Sequence, residues 1–148
     1  MGMFSIAIFI VVLSAVMLLS NSSAIASSEA SGIITKLRIL KTAAVTYYTD
    51  NAKSLTGHNK IAPTLELVAQ YADEPEKYTS AQGYSLVIDD PDNPAGSTWW
   101  IGYNVTKPKV AAKLTGKAQT AELYSNTPKH VSDAAFYSGT GSVYINVR

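Results

Sequence analysis

The sequence predicts an α+β fold. A long amino-terminal helix, apolar in its first half and amphipathic in its second, packs on an antiparallel β-sheet head. Three observations carry this. Met1 to Ser28 contains no charged side chain, and the first acid is Glu29. Ser27 to Asn51 contains no proline, and its apolar residues recur at helical spacing. From Gly83 onward the pattern turns to period two, rich in β-branched and aromatic residues.

The apolar start comes first. Met3 to Leu19 is almost purely apolar, and a membrane span needs about 20 such residues. The uncharged run Ser20 to Ala26 could complete it. Ala24-Ile25-Ala26 also has the small-x-small pattern of a secretory cleavage site. Against that reading, no Lys or Arg precedes the apolar run, which exceeds the usual h-region of about 7–15 residues. A third reading joins this run to the amphipathic segment after it. Ile33, Leu37, Leu40, Ala44 and Tyr47 or Tyr48 fall on one helical stripe, with Lys36, Lys41 and Thr49 away from it. Joined, Met3 to Lys53 would form a rod of about 75 Å at 1.5 Å per residue. Ser20-Asn21-Ser22-Ser23 and Gly32 are its weak points as helix.

The chain of 148 residues fits one domain plus a terminal segment. Residues 1–26 form a membrane or filament-core segment. Residues 27–148 form the head, including the amphipathic half of the helix. Ala52 to Pro63 reads as a loop. Thr64 caps a short helix reaching Tyr71, and Asp73-Glu74-Pro75-Glu76 ends it in a solvated turn. Strands are expected at Tyr84–Ile88, Thr98–Val105, Ala121–Tyr124, Ala135–Tyr137 and Ser142–Val147. A short helix is expected over Lys109–Gly116, and Gly139-Thr140-Gly141 is expected to close a hairpin. The apolar face of the sheet should cover the stripe Ile33–Tyr48.

Composition narrows the chemistry. A net charge of +1 supplies no basic field for nucleic acid. The absence of cysteine excludes thiolate catalysis, cysteine zinc sites and disulfides, so packing alone must hold the head. Asp89-Asp90-Pro91-Asp92-Asn93 has the residues of a tight turn. Calcium held by Asp89, Asp90 and Asp92 is the alternative there, and no other cofactor is expected. His58 and His130 are isolated and lack metal-ligand spacing. With no Gly-x-Ser-x-Gly elbow and no glycine-rich phosphate loop, no enzymatic activity is expected. The nine tyrosines suit half-buried strands. Asn21-Ser22-Ser23 and Asn104-Val105-Thr106 match the short glycosylation sequon.

Gly2 precedes Met3-Phe4 and an uncharged apolar helix, and the amphipathic half ends in Tyr47-Tyr48-Thr49-Asp50-Asn51. In these features the chain resembles the type IV pilin family, including the type II secretion pseudopilins: the first is similar to a prepilin processing site, the second to the pilin segment at that place. The family usually carries a Glu at the fifth mature position; counting from Met3, this is Ala7, so the chain is an atypical member. The resemblance implies processing between Gly2 and Met3, and an assembly interface through Phe4, Ile8, Val11, Val12, Val16 and Leu19. Ile33, Leu37, Leu40, Ala44, Tyr47 and Tyr48 would hold the helix to the head. The implied function is that of a structural subunit of a pilus-like filament or pseudopilus. Its partners would be copies of itself or related subunits, and it would sit in the inner membrane before joining a surface or periplasmic filament. Two alternatives stay open: a secreted binding protein released after Ala26, and a single-pass membrane protein with a monomeric head.

Overall fold

The computed structural model describes residues 2–57 and 60–148, with side chains from Ser22 onward. One helix, α1 (Gly2–Asp50), runs through both predicted halves. The serine-rich stretch and Gly32 do not interrupt it. No neighbour lies within 4 Å of where a Gly32 side chain would begin, so packing does not demand glycine there. Beyond α1 come α2 (Leu65–Ala69), β1 (Tyr84–Ile88), β2 (Trp99–Asn104), α3 (Pro108–Ala121) and β3 (Ser142–Asn146). The three strands form an antiparallel sheet in the order β1-β2-β3.

Strand alternation decides what faces α1. Tyr84, Leu86 and Ile88 of β1 pair with Tyr103, Ile101 and Trp99 of β2. On the other side, Ile101 and Tyr103 pair with Ile145 and Val143 of β3. These residues share one face and join the core with Leu37, Leu40, Ala44 and Tyr47 of α1. The predicted sheet-on-stripe packing is therefore present. Trp99 is wholly buried, its indole N–H donating to Pro94 O at 2.8 Å. The opposite face carries Ser85, Val87, Trp100, Gly102 and Tyr144. Gly102 is required there: a Cβ would stand 2.5 Å from the Tyr144 ring and 2.6 Å from Ser85 Oγ.

Thr64 caps α2 as predicted, its hydroxyl oxygen accepting from Leu67 N–H, but the helix stops at Ala69. Four expectations need correction. α3 does not end at Gly116 but runs to Ala121, because Val110, Ala111, Leu114 and Ala118 continue one buried stripe. Gly116 lies outside that stripe, so its penalty of about 1 kcal/mol is borne by packing elsewhere on the helix. Ala121–Tyr124 is not a strand. Ala121 closes α3, Glu122 turns the chain in a left-handed conformation (φ 57°), and Tyr124 alone forms bridges to Phe136 and Tyr144. Ala135–Tyr137 likewise reduces to the single bridge at Phe136. Gly139-Thr140-Gly141 bends with positive φ at both glycines, yet closes no hairpin. The segments it joins are separated by Tyr124, which bridges both.

Candidate functional site

α1 presents two different faces. The inner face is Ala26, Ala30, Ile33, Leu37, Leu40, Ala44 and Tyr47, at alternating steps of four and three. Of the six predicted packing residues, Leu37, Leu40, Ala44 and Tyr47 are buried, and Ile33 and Tyr48 are half-buried against the same core. Tyr48 donates its hydroxyl to Ala95 O at 3.0 Å. The Arg148 guanidinium lies 3.8 Å from its ring centre, a cation–π contact. Ala26, Ala30, Ile34 and Ala43 extend the buried face beyond the prediction. The head also reaches back to Ser22, whose hydroxyl accepts from Lys109 Nζ at 2.8 Å.

The outer face has its own seam: Ile25, Ser28, Gly32, Thr35, Ile39, Thr42, Thr46 and Thr49, at alternating steps of three and four. None is charged. Ile25 is 58% exposed and Ile39 41%, and Val45 beside the seam is 45% exposed. The four threonines add little polarity. Thr35 donates its hydroxyl to Ser31 O at 3.0 Å and Thr42 to Arg38 O at 3.1 Å. Thr46 donates to Thr42 O at 2.9 Å and Thr49 to Val45 O at 3.0 Å. Each hydroxyl proton is thus spent on its own helix, and the methyl remains for an outside neighbour. Alternating steps of three and four are the geometry by which helices pack side by side. The same steps continued backwards meet Asn21, Leu18, Ser14, Val11, Ala7 and Phe4, again without a charge.

Grooves border the seam on both sides. Two between α1 and α3 share Arg38 and Thr120, one lined also by Lys41 and Glu122 and the other by Lys117. A more apolar one is lined by Arg38, Ile39, Thr42, Tyr71, Ala72 and Asp73, so Arg38 borders all three. Burial sets the tyrosine chemistry. Tyr84, packed on Tyr103 and Tyr78, has its hydroxyl pushed up to about 12, by burial first and its two neighbours second. Burial also raises Tyr47, Tyr78 and Tyr137. The described aromatic contacts fall into three separate groups, around Trp99, Tyr84 and Tyr124.

The Asp89–Asn93 segment is built as a turn. Asp90 N–H donates to Ser97 Oγ at 2.8 Å, and Asp92 N–H donates to Asp90 Oδ1 at 3.0 Å. Among the described residues, no three His, Asp or Glu side chains gather as metal ligands. Asp89, Asp90, Asp92, Asn104 and His130 are exposed. His58 lies outside what is described, as do the side chains of Met3, Phe4, Ile8, Val11, Val12, Val16 and Leu19; Gly2 is placed only as the first residue of α1. From Ser22 onward, where side chains are described, no helix is long and apolar enough to cross a membrane; the run Met3–Leu19 lies before that segment. Comparison with protein-family models, with curated proteins and with solved structures gives no match.

Proposed function

We propose that this chain is a structural subunit of a type IV pilus-like filament or secretion pseudopilus, held in the inner membrane through its amino-terminal segment before assembly. The observation that carries the reading is the outer seam of α1. A helix already packed on its own head keeps a second, uncharged seam on its solvent side, and the same steps continued backwards meet no charge. A helix with no further partner gains nothing from withholding charge along about seven turns of exposed surface. A bundle of parallel copies would use both parts at once. Large side chains such as Phe4, Val11 and Leu19 would contribute roughly 1.5–3 kcal/mol each on burial, and the Ile39 and threonine seam would guide the helices into register. No enzymatic step and no cofactor enter this role.

Release after Ala26 fits less well. Ala26 is 4% exposed in the core, and Ser22 is bonded to Lys109. Cleavage there would remove part of the head's own packing. The test is a charge at Val11 or Val12. Val11→Asp should abolish fibres seen by electron microscopy while the head keeps its native tryptophan fluorescence. Normal fibres from that variant refute the role. Sequencing of the mature amino terminus separates the alternatives: a start at Met3 supports the subunit, a start at Ser27 supports secretion.

A further inference from the structure

A membrane span needs about 20 apolar residues, so a span that begins at Met3 ends near Ser22. Spanning helices place Lys or Arg at such an end, where the long side chain carries its charge to the headgroups. α1 has none of its own there. Its first cation is Lys36, about 21 Å beyond Ser22 at 1.5 Å per residue. The fold brings one from far away in the chain. Lys109, on the first turn of α3, donates from Nζ to Ser22 Oγ at 2.8 Å. Ser22 is neutral, so it holds the ammonium at this level without compensating its charge. Lys107 pairs with Glu29 at 3.1 Å, and Lys113 follows Lys109 by about one helical turn. Among the described residues neither Lys109 nor Lys113 has an acid in ion-pair contact.

α3 runs alongside α1 in the same direction, since Lys109 meets Ser22 whereas Lys117 and Thr120 line a groove with Ser31, Ile34 and Arg38. The start of α3 is therefore the end of the head nearest the apolar run. Gly83 lies beside Asn104 here, and Gly139 beside Thr115. The segments that reach this end, 22–35, 79–88, 101–119 and 134–147, carry Lys107, Lys109, Lys113 and Lys117 against Glu29 alone. Asp73 borders Thr35, Arg38 and Ile39, farther along α1. With Glu74, Glu76 and Lys77 of the same turn counted in, cations still exceed acids by five to three.

Resting on the membrane-held stage of the proposed function, we infer that Lys109, with Lys113 behind it, binds anionic phospholipid headgroups of the bilayer that holds α1. It is the interfacial anchor that the helix itself lacks, supplied by the head. A lysine beside an anionic leaflet raises association about fivefold at low salt. The effect fades over a Debye length, about 10 Å at 0.1 M salt. Lys117 stands about 12 Å beyond Lys109 along α3, so it contributes little.

The test uses the full chain in vesicles of mixed phosphatidylcholine and phosphatidylglycerol. The chain lacks cysteine, so Ser23→Cys, at an exposed position beside Ser22, takes a single fluorophore. Energy transfer to a trace of dye-labelled phosphatidylglycerol, compared with the same dye on phosphatidylcholine, reads which lipid gathers at this point. With all lysines in place, phosphatidylglycerol should be preferred at least fivefold at low salt. Lys109→Gln keeps a donor for Ser22 but removes the charge. It should cut the preference to about a fifth, Lys109→Arg should restore it, and Lys117→Gln should leave it unchanged. Lys113→Gln breaks no described hydrogen bond and should lower the preference in the same direction, which keeps the test open if Lys109→Gln disturbs the head. No preference in the parent background, a preference that survives loss of both Lys109 and Lys113, or an equal loss in Lys117→Gln overturns the inference. Failure of the membrane reading looks different: the parent chain floats with neither neutral nor mixed vesicles, and the label transfers energy to neither lipid. That result removes the anchor together with the span.

Discussion

Leu37 and Ile39 stand two residues apart on α1 and face opposite ways, so truncating each to alanine tests the division of this helix into two faces. Leu37 is 0% exposed and belongs to the continuous core. Removing its outer carbons loses about 0.8 kcal/mol per methylene in transfer. The cavity left between α1 and the sheet brings the total to about 3–5 kcal/mol. For a head of this size, about 3 kcal/mol lowers the melting temperature by roughly 10–15 °C. It lowers the urea midpoint by about 1.5–2 M at a slope near 1.5–2 kcal/mol/M. Ile39→Ala, at an exposed position, should stay within about 0.5 kcal/mol. The assay is urea unfolding of the full chain in mild detergent, followed by tryptophan fluorescence, with Trp99 6.4 Å from Tyr47 of α1 as reporter. If the two variants unfold together, or if Leu37→Ala costs less than about 1 kcal/mol, the assignment of inner and outer faces is wrong.

Three further outcomes concern the head. Trp99→Phe should cost about 2–4 kcal/mol, because it breaks the bond to Pro94 O and opens a core cavity. Trp100→Phe should cost about 1 kcal/mol less than Trp99→Phe, because both open a cavity but the buried Trp100 Nε1 has no hydrogen-bond partner to lose; equal costs in chemical denaturation contradict this. Gly102→Ala should destabilise by about 1–3 kcal/mol through its clash with Tyr144. Adding Tyr144→Ala should then cost less than it does in the parent chain; a purely additive double mutant rules out the clash. For pH, the sign comes from tyrosines whose folded pKa is raised. Tyr84 holds its proton up to about 12 when folded, whereas an ordinary tyrosine releases it near 10.0. Its contribution to stability is complete below pH 10 and is lost as pH rises toward 12. Urea midpoints measured from pH 9 to 11.5 should fall in the parent and fall less in Tyr84→Phe; a flat parent profile contradicts the burial effect.

Much of the fold is legible in the sequence because one signal dominates each part. The stripe from Ile33 to Tyr48 consists of large apolar residues at helical spacing, and it packs where the spacing says. β1 matches its predicted range, and β2 and β3 differ only at their ends, because alternation with aromatic residues marks a sheet with one buried face. The misreadings fall where a local rule competes with packing. Gly116 reads as a helix end but sits on the exposed side of a helix held by Leu114 and Ala118. Ala121–Tyr124 reads as strand, yet α3 runs on to Ala121 and left-handed Glu122 turns the chain, leaving the Tyr124 bridges and the bond from Tyr137 N–H to Leu123 O. The outer seam is hidden in the sequence because hydrophobic periodicity counts Leu, Ile and Val. Thr35, Thr42, Thr46 and Thr49 register as polar until their hydroxyls are seen bonded to their own helix. The legible signal is the absence of charge at steps of three and four. The groove around Arg38 and Lys117 joins residues far apart in the chain, and only the packing of α3 on α1 reveals it.

Ile39→Asp combined with Thr42→Asp places two like charges on the outer seam while leaving every core residue of α1 in place. The decisive measurement is fibre yield for this variant beside the parent chain, with urea midpoints for both. Native-like stability together with loss of fibres is the outcome expected if this face joins neighbouring subunits. Abundant fibres of parental shape, from a variant whose exposed ridge now repels its copies, would mean the subunits meet somewhere else.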